Sequence, residues 1–357
     1  MRTELPRNAL EGLASALAAA GACVLRNPFL FENLARGGDW DILVPSLEDA
    51  ESLLIRHLGP PDGMARRSYV SSYLYGWGYI DLFSDWQWRG VQLLDNAHLR
   101  QGLTPGPDGI PKLAPATEAI VCWFTKLLWN GSGDPRYRES IIEAARTDPR
   151  EFENACSLLV GRRLGSEVSA LAAASRPEEA DVLVSKLRRA VSRQAYRRRP
   201  VSTVKGRSAF LLAEIRLRLN PPVPMIESHA LAENLCDIET TAAGAWAAVS
   251  GVVVVRVPDR RSKGGGSIPF AFGYWTTLVN HRVRGRIVVL AVQPTSSARL
   301  LRAGRRRWLT PKSDLIVGHD GSLPDDLSDW LLGETRRRAL RSLLPGTSSA
   351  VKGWESP

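Results

Sequence analysis

The sequence contains no apolar run long enough to cross a bilayer. Its longest such runs, Val252–Val255 and Ile287–Val292, have the length of β-strands, whereas a transmembrane helix needs about 20 apolar residues. Glu4 and Glu11 lie where a secretion signal requires positive charge, and the leucines of the first twenty residues follow helical spacing. We therefore expect a cytoplasmic protein whose chain begins with an amphipathic helix.

Cysteine is scarce, and so are the motifs of several large enzyme classes. The four cysteines, Cys23, Cys122, Cys156 and Cys236, have neither paired nor metal-ligand spacing, which predicts reduced, mostly buried thiols. There is no recognisable Ser-His-Asp arrangement, Cys/His metal cluster or dinucleotide-binding fingerprint. The sequence therefore gives no specific support for a hydrolase or an oxidoreductase.

Acidic residues are nearly missing from one segment, which carries as much positive charge as the net +10 of the whole chain. Between Lys186 and Arg218 there are eleven Lys or Arg residues and one acid, Glu214. Such a segment is either a solvated helical face or a surface that contacts phosphates, nucleic acid or an anionic membrane. Several apolar residues beside the charges favour a membrane interface for part of it: Phe210, Leu211, Ile215, Leu217 and Leu219.

The length of 357 residues exceeds what one compact core usually supports. Turn-rich and proline-rich stretches at Thr104–Gly109 and Asn220–Pro222 divide the chain into three regions. We expect an α/β protein with an α+β domain at 1–110, a helical region with the basic segment at 111–220, and an α/β domain with a parallel sheet at 221–357.

Periodicity predicts the elements of the first region. Asp39–Val44 reads as a strand that stops at Pro45, and Leu47–Leu58 as a helix. Ser68–Tyr75 and Tyr79–Phe83 read as two strands of a hairpin that turns at the intervening glycines. Strands favour aromatic residues, so most of the aromatics here are expected in the sheet core, with one or two free to stack on a nucleobase or sugar: Tyr69, Tyr73, Tyr75, Trp77, Tyr79, Trp86 and Trp88.

The third region contains three apolar strand candidates, Val252–Val257, Arg286–Val292 and Asp314–Val317. More than twenty residues separate consecutive candidates. That spacing fits crossover helices and a parallel sheet.

Three acidic residues in the first region have the pattern of a metal site. Side chains alternate across a strand, so Asp39 and Asp41 project from the same face. Two carboxylates held that close repel each other unless a cation lies between them, and Mg2+ prefers such hard oxygen ligands. Asp81, on a neighbouring strand, would complete a two-metal site for phosphoryl chemistry.

Gly37 and Gly38 directly precede Asp39 and leave room for backbone N–H groups to approach a triphosphate. Without the flanking features, an Asp-x-Asp motif is equally typical of a solvated strand edge or turn.

The segment Arg36–Val44 resembles the Gly-Gly-Asp-x-Asp signature of DNA polymerase β-like nucleotidyltransferases. The chain is still more similar to bacterial proteins that fuse such a domain to a thymidylate-kinase-like domain and are often associated with polysaccharide genes. Val24–Asn27, Ile80–Phe83 with Trp88–Gly90, and Thr117–Arg138 carry this likeness.

The resemblance implies a role for each residue. Asp39 and Asp41 would hold Mg2+ (or Mn2+) and the triphosphate, ATP among the candidates, and Asp81 would bind a second metal and help to deprotonate an acceptor hydroxyl. Arg26 and Lys126 would contact phosphates, although Arg26 could equally be structural and Lys126 a surface lysine that extends from its helix. The sequence departs from the wider superfamily at the glycines, which directly adjoin Asp39 instead of lying a helical turn away from the acids.

The third region resembles a thymidylate-kinase-like domain that has lost its catalytic parts. A phosphate-binding loop needs glycines and a Lys-Ser/Thr pair at the start of a helix, yet Ile226–Ala230 contains neither glycine nor lysine. Ala291–Pro294 replaces the Asp-Arg pair of an intact relative. We interpret the domain as a non-catalytic, pseudokinase-like remnant. Lys263–Ser267 is interpreted as a flexible loop and Arg305–Arg307 as a solvated or partner-facing patch.

These observations together predict a Mg2+-dependent nucleotidyltransferase that moves a nucleoside monophosphate to a hydroxyl of a small molecule, a sugar or a surface-polymer precursor. The alternative is a scaffold or binding protein in which both nucleotide sites are degenerate. A nucleic-acid enzyme that uses residues 186–218 is a third interpretation and predicts a polynucleotide acceptor. The acceptor, the preferred base and the oligomeric state do not follow from the sequence.

Overall fold

The computed structural model of the chain describes residues 6–26, 31, 34, 39–220, 222, 225–228, 252–256, 278–282, 287–291, 315–317 and 327–343. These residues form a mixed α/β structure with one five-stranded sheet, one four-stranded sheet and a small two-stranded hairpin. The α/β class predicted from the sequence is thereby confirmed at this coarse level. None of the described helices is both long enough and apolar enough to span a membrane.

The five-stranded sheet has the spatial order β1-β2-β5-β4-β3. Its central neighbours β2 and β5 run parallel, whereas the other adjacent strands run antiparallel. The strands are β1 (Cys23–Arg26), β2 (Asp39–Leu43), β3 (Gly63–Arg66), β4 (Val70–Tyr75) and β5 (Gly78–Phe83).

One face of this sheet packs against two helices, α1 (Arg7–Ala19) and α2 (Leu47–Leu58). Trp40 of β2 and Ile80 of β5 are fully buried in the core between these layers. Ser46 begins α2, because its side-chain oxygen accepts a hydrogen bond from the backbone N–H of Asp49 at 3.2 Å. The even-numbered residues of β2 and β5 therefore serve the core, and the odd-numbered residues face the opposite side.

The opposite side is covered by a helical layer whose core is continuous with the sheet. Leu25 and Leu43 of the sheet belong to the same buried cluster as Trp123, Phe124 and Phe152 of the helices. After β5 come the hairpin strands β6 (Gln87–Trp88) and β7 (Val91–Gln92). The helices are α3 (Asn96–Leu99), α4 (Pro115–Asn130), α5 (Arg138–Thr147), α6 (Pro149–Val160), α7 (Arg162–Ala173), α8 (Val184–Arg198) and α9 (Pro200–Leu219), with 3-10 turns at Pro135–Tyr137 and Pro177–Leu183.

The four-stranded sheet is entirely parallel and has the order β11-β8-β10-β9. Its strands are β8 (Met225–Ser228), β9 (Val252–Arg256), β10 (Ile287–Ala291) and β11 (Leu315–Val317). The sequence predicted three of these strands and their parallel arrangement correctly. Continuous runs of valine, isoleucine and leucine are typical of parallel strands with both faces covered.

The last described helix, α10 (Leu327–Ser342), follows the parallel sheet in sequence but packs against β3 of the first sheet. Ala339 is fully buried in the core that α1 and α2 form with that sheet. Arg336 adds an ion pair, its Nε lying 2.7 Å from Asp62 Oδ1. The end of the described chain is thus part of the first sheet's surroundings.

Most local predictions for residues 1–220 are confirmed. The strands differ from their predicted limits by at most two residues, and the helix at Leu47–Leu58 is exact. Cys23, Cys122 and Cys156 are buried free thiols, whereas Cys236 lies outside the described residues. Most of the seven aromatics were expected in the core, and five of them are buried: Tyr69, Tyr73, Tyr75, Trp86 and Trp88.

Candidate functional site

The three predicted metal-ligating carboxylates lie together on the first sheet. Asp39 and Asp41 project from β2, and the parallel register of β2 and β5 places Asp81 directly beside Asp41. One carboxylate oxygen from each residue lies within 4.8 Å of the others. The convergence of these three acids, on which the sequence argument depended, is confirmed as geometry.

Burial sets the charge state of this acidic cluster. Burial raises the pKa of Asp41 to about 6, although the Arg26 guanidinium opposes the shift. Burial together with the charges of Asp41 and Asp39 raises the pKa of Asp81 to about 7, and a hydrogen bond with Ser72 opposes that shift. Both carboxylates are thus destabilised in their ionised form, as expected where like charges share a buried site.

One oxygen of the cluster has no hydrogen-bond partner among the described residues. Asp81 Oδ1 is inaccessible to solvent and accepts no hydrogen bond from the part of the chain that the structure describes. A buried acceptor without a partner costs about 1–3 kcal/mol, and more when charged. Carboxylate oxygens are the hard ligands that Mg2+ and Mn2+ prefer. The donor set and the unpartnered oxygen therefore fit a divalent cation held by Asp39, Asp41 and Asp81.

Arg26 is placed against the same cluster by an irregularity in β1. The register shifts between Val24 and Arg26, so that Arg26 lies opposite Asp41 on β2. A bulge of this kind redirects a side chain from its regular face. Arg26 Nε and Nη2 donate to the two oxygens of Asp41 at 2.7 and 2.8 Å.

Burial of Arg26 lowers the pKa of its guanidinium, but the neighbouring Asp41 carboxylate raises that pKa by more, so the net shift is upward. In this structure Arg26 therefore has the structural role that the sequence left open, and its role as a phosphate contact stays a prediction.

Lys126 lies on α4, near the acidic cluster. Its Nζ is 3.8 Å from Asp134 Oδ2, and its positive charge lowers the pKa of Asp41. Arg136 also donates to the Asp134 carboxylate, with its Nη2 at 2.8 Å from Asp134 Oδ2. The lysine is half-buried rather than fully extended into solvent.

Arg26 and Lys126 also line a cavity of about 210 Å3. Its aromatic lining is supplied by Tyr69, Phe83, Trp86 and Trp129. Trp86 is held in place because its Nε1 donates to Thr125 Oγ1 at 3.0 Å. Two cations beside aromatic rings match the charge and the flat surfaces of a nucleotide.

Gly37 and Gly38, which the sequence assigned to triphosphate binding, lie outside the described residues. The same holds for His229 and Ala230, for Gln293 and Pro294, and for the segments 263–267 and 305–307. For the third region, the structure therefore adds the parallel sheet and the backbone of β8, on which Glu227 and Ser228 lie; the interpretation of this region as a non-catalytic remnant stays a prediction.

A second, larger cavity of about 670 Å3 was not expected from the sequence. It lies between the β6–β7 hairpin and helices α8 and α9, and its lining includes Asp85, Gln92 and Arg199. Arg199 joins the two sides, with Nη1 donating to Gln92 Oε1 at 2.6 Å. The residues come from segments more than 100 positions apart, so no local motif could have identified the cavity.

Comparison with protein-family models, with curated proteins and with solved structures found no match for this chain.

Proposed function

We propose that this protein is a Mg2+-dependent nucleotidyltransferase that moves a nucleoside monophosphate from a triphosphate to a hydroxyl of a small molecule, a sugar or a surface-polymer precursor. The observation that supports the proposal most directly is the convergence of Asp39, Asp41 and Asp81 to within 4.8 Å. When bound, the divalent cations would neutralise the charge that develops on the phosphate oxygens.

The surrounding side chains suit the same chemistry. Asp39 and Asp41 would orient the triphosphate through shared cations. Lys126, at the adjacent cavity, would contact the phosphates. Asp81, which carries the unpartnered oxygen, would accept the proton of the attacking hydroxyl.

The proposal is tested by incubating the purified protein with each labelled triphosphate and Mg2+ or Mn2+, with cell extract as the source of acceptor. We expect pyrophosphate release that depends on the divalent cation. Asp39→Asn should reduce the rate at least a hundredfold, because one ligand of the cation is lost, and should leave the thermal unfolding curve like that of the wild type. Glu48→Gln, an exposed acid on α2, is the matched control and should keep full activity. Wild-type turnover by Asp39→Asn would contradict the assignment.

The bidentate contact of Arg26 with Asp41 supports one alternative, a catalytically inactive scaffold. A guanidinium that neutralises a metal ligand at 2.7 Å can substitute for the cation itself. Calorimetry separates the two functions. A transferase binds a triphosphate more tightly in Mg2+ than in EDTA, whereas a scaffold with a closed site shows no nucleotide binding in either.

A further inference from the structure

Helix α9 is apolar on two opposite faces. Its inner face includes Leu217, which is buried, and Phe210, whose ring stacks on Tyr69 with a centroid distance of 6.5 Å. Gly206 brings this face close to Gly90, and a side chain at either glycine would meet the backbone of the other. The inner face accounts for how the helix is attached to the rest of the protein.

The outer face carries six exposed aliphatic side chains. At about 100° per residue these positions fall within a stripe roughly 100° wide that runs the length of the helix, about 30 Å. The members of this outer stripe, with their exposed fractions, are Val201 (65%), Val204 (53%), Leu211 (59%), Leu212 (56%), Ile215 (41%) and Leu219 (74%). The inner face already attaches the helix to the protein, so a second, exposed apolar stripe is typical of a surface that contacts a partner or a membrane.

This geometry corrects the set of residues expected at an interface. Leu217 is buried and Phe210 is half-buried, so neither belongs to the outer stripe. Val201, Val204 and Leu212 belong to it instead. A purely solvated face does not account for six exposed aliphatic residues on one line.

Within α9, the stripe is bordered by cations and by no acid. Lys205 and Arg216 are exposed along one border and Arg218 along the other. The one acid between Lys186 and Arg218 is Glu214, and its Oε1 is tied to Arg67 Nε at 2.8 Å. The outer side of α9 therefore combines aliphatic surface with positive charge that forms no ion pair with the described residues.

We propose that the outer stripe of α9 docks on an anionic lipid bilayer, with the helix lying in the plane of the interface. Aliphatic side chains enter the boundary between head groups and acyl chains, while flanking lysine and arginine side chains contact anionic head groups. Nucleic acid fits less well, because its recognition uses cations, polar groups and aromatic rings rather than a line of leucine and valine. A second copy of this chain also fits less well, because a symmetric contact would bring like charges together.

The test is co-sedimentation of the full-length protein with vesicles of phosphatidylcholine alone and with vesicles containing about one-third phosphatidylglycerol. We expect binding to the anionic vesicles that weakens as salt is raised. The double variant Leu211→Ser/Leu212→Ser should weaken that binding roughly tenfold or more, because two inserted side chains are lost. Lys205→Gln/Arg216→Gln should weaken binding to anionic vesicles and leave binding to neutral vesicles unchanged.

Val182→Ser is the control, since Val182 is an exposed aliphatic residue (85%) that lies outside α9. It should bind like the wild type, and thermal melts should confirm that all variants are folded. No binding to anionic vesicles at low salt would overturn the proposal, as would unchanged binding by the double leucine variant. Tighter binding to poly(U) than to vesicles would assign the surface to nucleic acid. A concentration-dependent dimer that the leucine variant abolishes would assign it to a second copy.

Discussion

At the scale of single residues, Asp81 carries a solvent-inaccessible oxygen, Oδ1, that accepts no hydrogen bond from the described residues. Its pKa is raised from 3.8 to about 7, so the folded protein binds this proton more tightly than the unfolded chain does. The stability that the proton provides is fully present below about pH 4 and is lost as the pH rises through 7.

We therefore expect Asp81→Asn, which is neutral at every pH, to be more stable than the wild type at pH 8 in EDTA. The gain should be about 2 kcal/mol at pH 8 and should shrink to nearly nothing at pH 4. Urea denaturation of both proteins between pH 4 and pH 8 measures the difference. Asp49→Asn, at an exposed carboxylate on α2, is the control and should show no comparable gain. A variant that is less stable than the wild type at pH 8 would show that the ionised carboxylate is satisfied in the native state.

Arg26 pairs with Asp41, the neighbour of Asp81 in the acidic cluster, and its positive charge offsets the negative charge of the Asp41 carboxylate. Removing one partner of a buried ion pair leaves the other charge unpaired and typically costs about 3–5 kcal/mol. We expect Arg26→Gln to lose stability of that order at pH 8 in EDTA, and Arg26→Gln/Asp41→Asn to recover most of it. Arg7→Gln breaks the exposed Arg7–Glu11 pair and should cost less than about 0.5 kcal/mol. Equal losses in the single and the double variant would mean that the two side chains are not energetically coupled.

At the scale of elements, the contact between α9 and the β6–β7 hairpin depends on glycine. A Cβ at Gly206 would lie 2.3 Å from the carbonyl oxygen of Gly90. Helix propensity alone favours alanine over glycine by about 1 kcal/mol. Because the close approach outweighs that preference, Gly206→Ala should destabilise the protein.

Gly333 of α10 is the matched control for this prediction. It also lies inside a helix, but a Cβ there would meet nothing within 4 Å, so Gly333→Ala should stabilise by about 0.5–1 kcal/mol. Thermal melts of the two variants should therefore shift in opposite directions. Two upward shifts would show that α9 does not approach the hairpin this closely.

Elements also show how far the sequence could predict the candidate site. The alternation in Asp39–Val44 and the glycines before Tyr79 were sufficient to predict β2, β5 and the facing of their acids. The pairing of β2 with β5 is non-local, so the register of Asp41 with Asp81 became visible only in the structure. The contact of Arg26 with Asp41 depends on a register shift that has no sequence signature. Leu217 of α9 was expected at the interface but is buried, because α9 carries apolar residues on two opposite faces and periodicity cannot choose between them.

At the scale of the whole molecule, the first sheet and the helical layer form one hydrophobic unit. Leu25 and Leu43 of the sheet share a buried cluster with helices as distant in sequence as α8. The acidic cluster lies between these layers, and burial there raises the pKa values of Asp41 and Asp81. The helical layer thus supplies the low-dielectric cover of the site as well as Lys126.

The contact of α10 with β3 leads to a prediction about two segments that are far apart in the sequence. Ala339 is fully buried against the core of the first sheet, so Ala339→Glu would place a charge in an apolar environment and should destabilise by about 3 kcal/mol. Hydrogen exchange should show lost protection in β3 (Gly63–Arg66), more than 270 positions earlier in the sequence. Arg341→Ala changes the net charge by the same amount at an exposed position of the same helix and should leave β3 protected. If Ala339→Glu exposed α10 alone and left β3 unchanged, the helix would not be part of the first sheet's core.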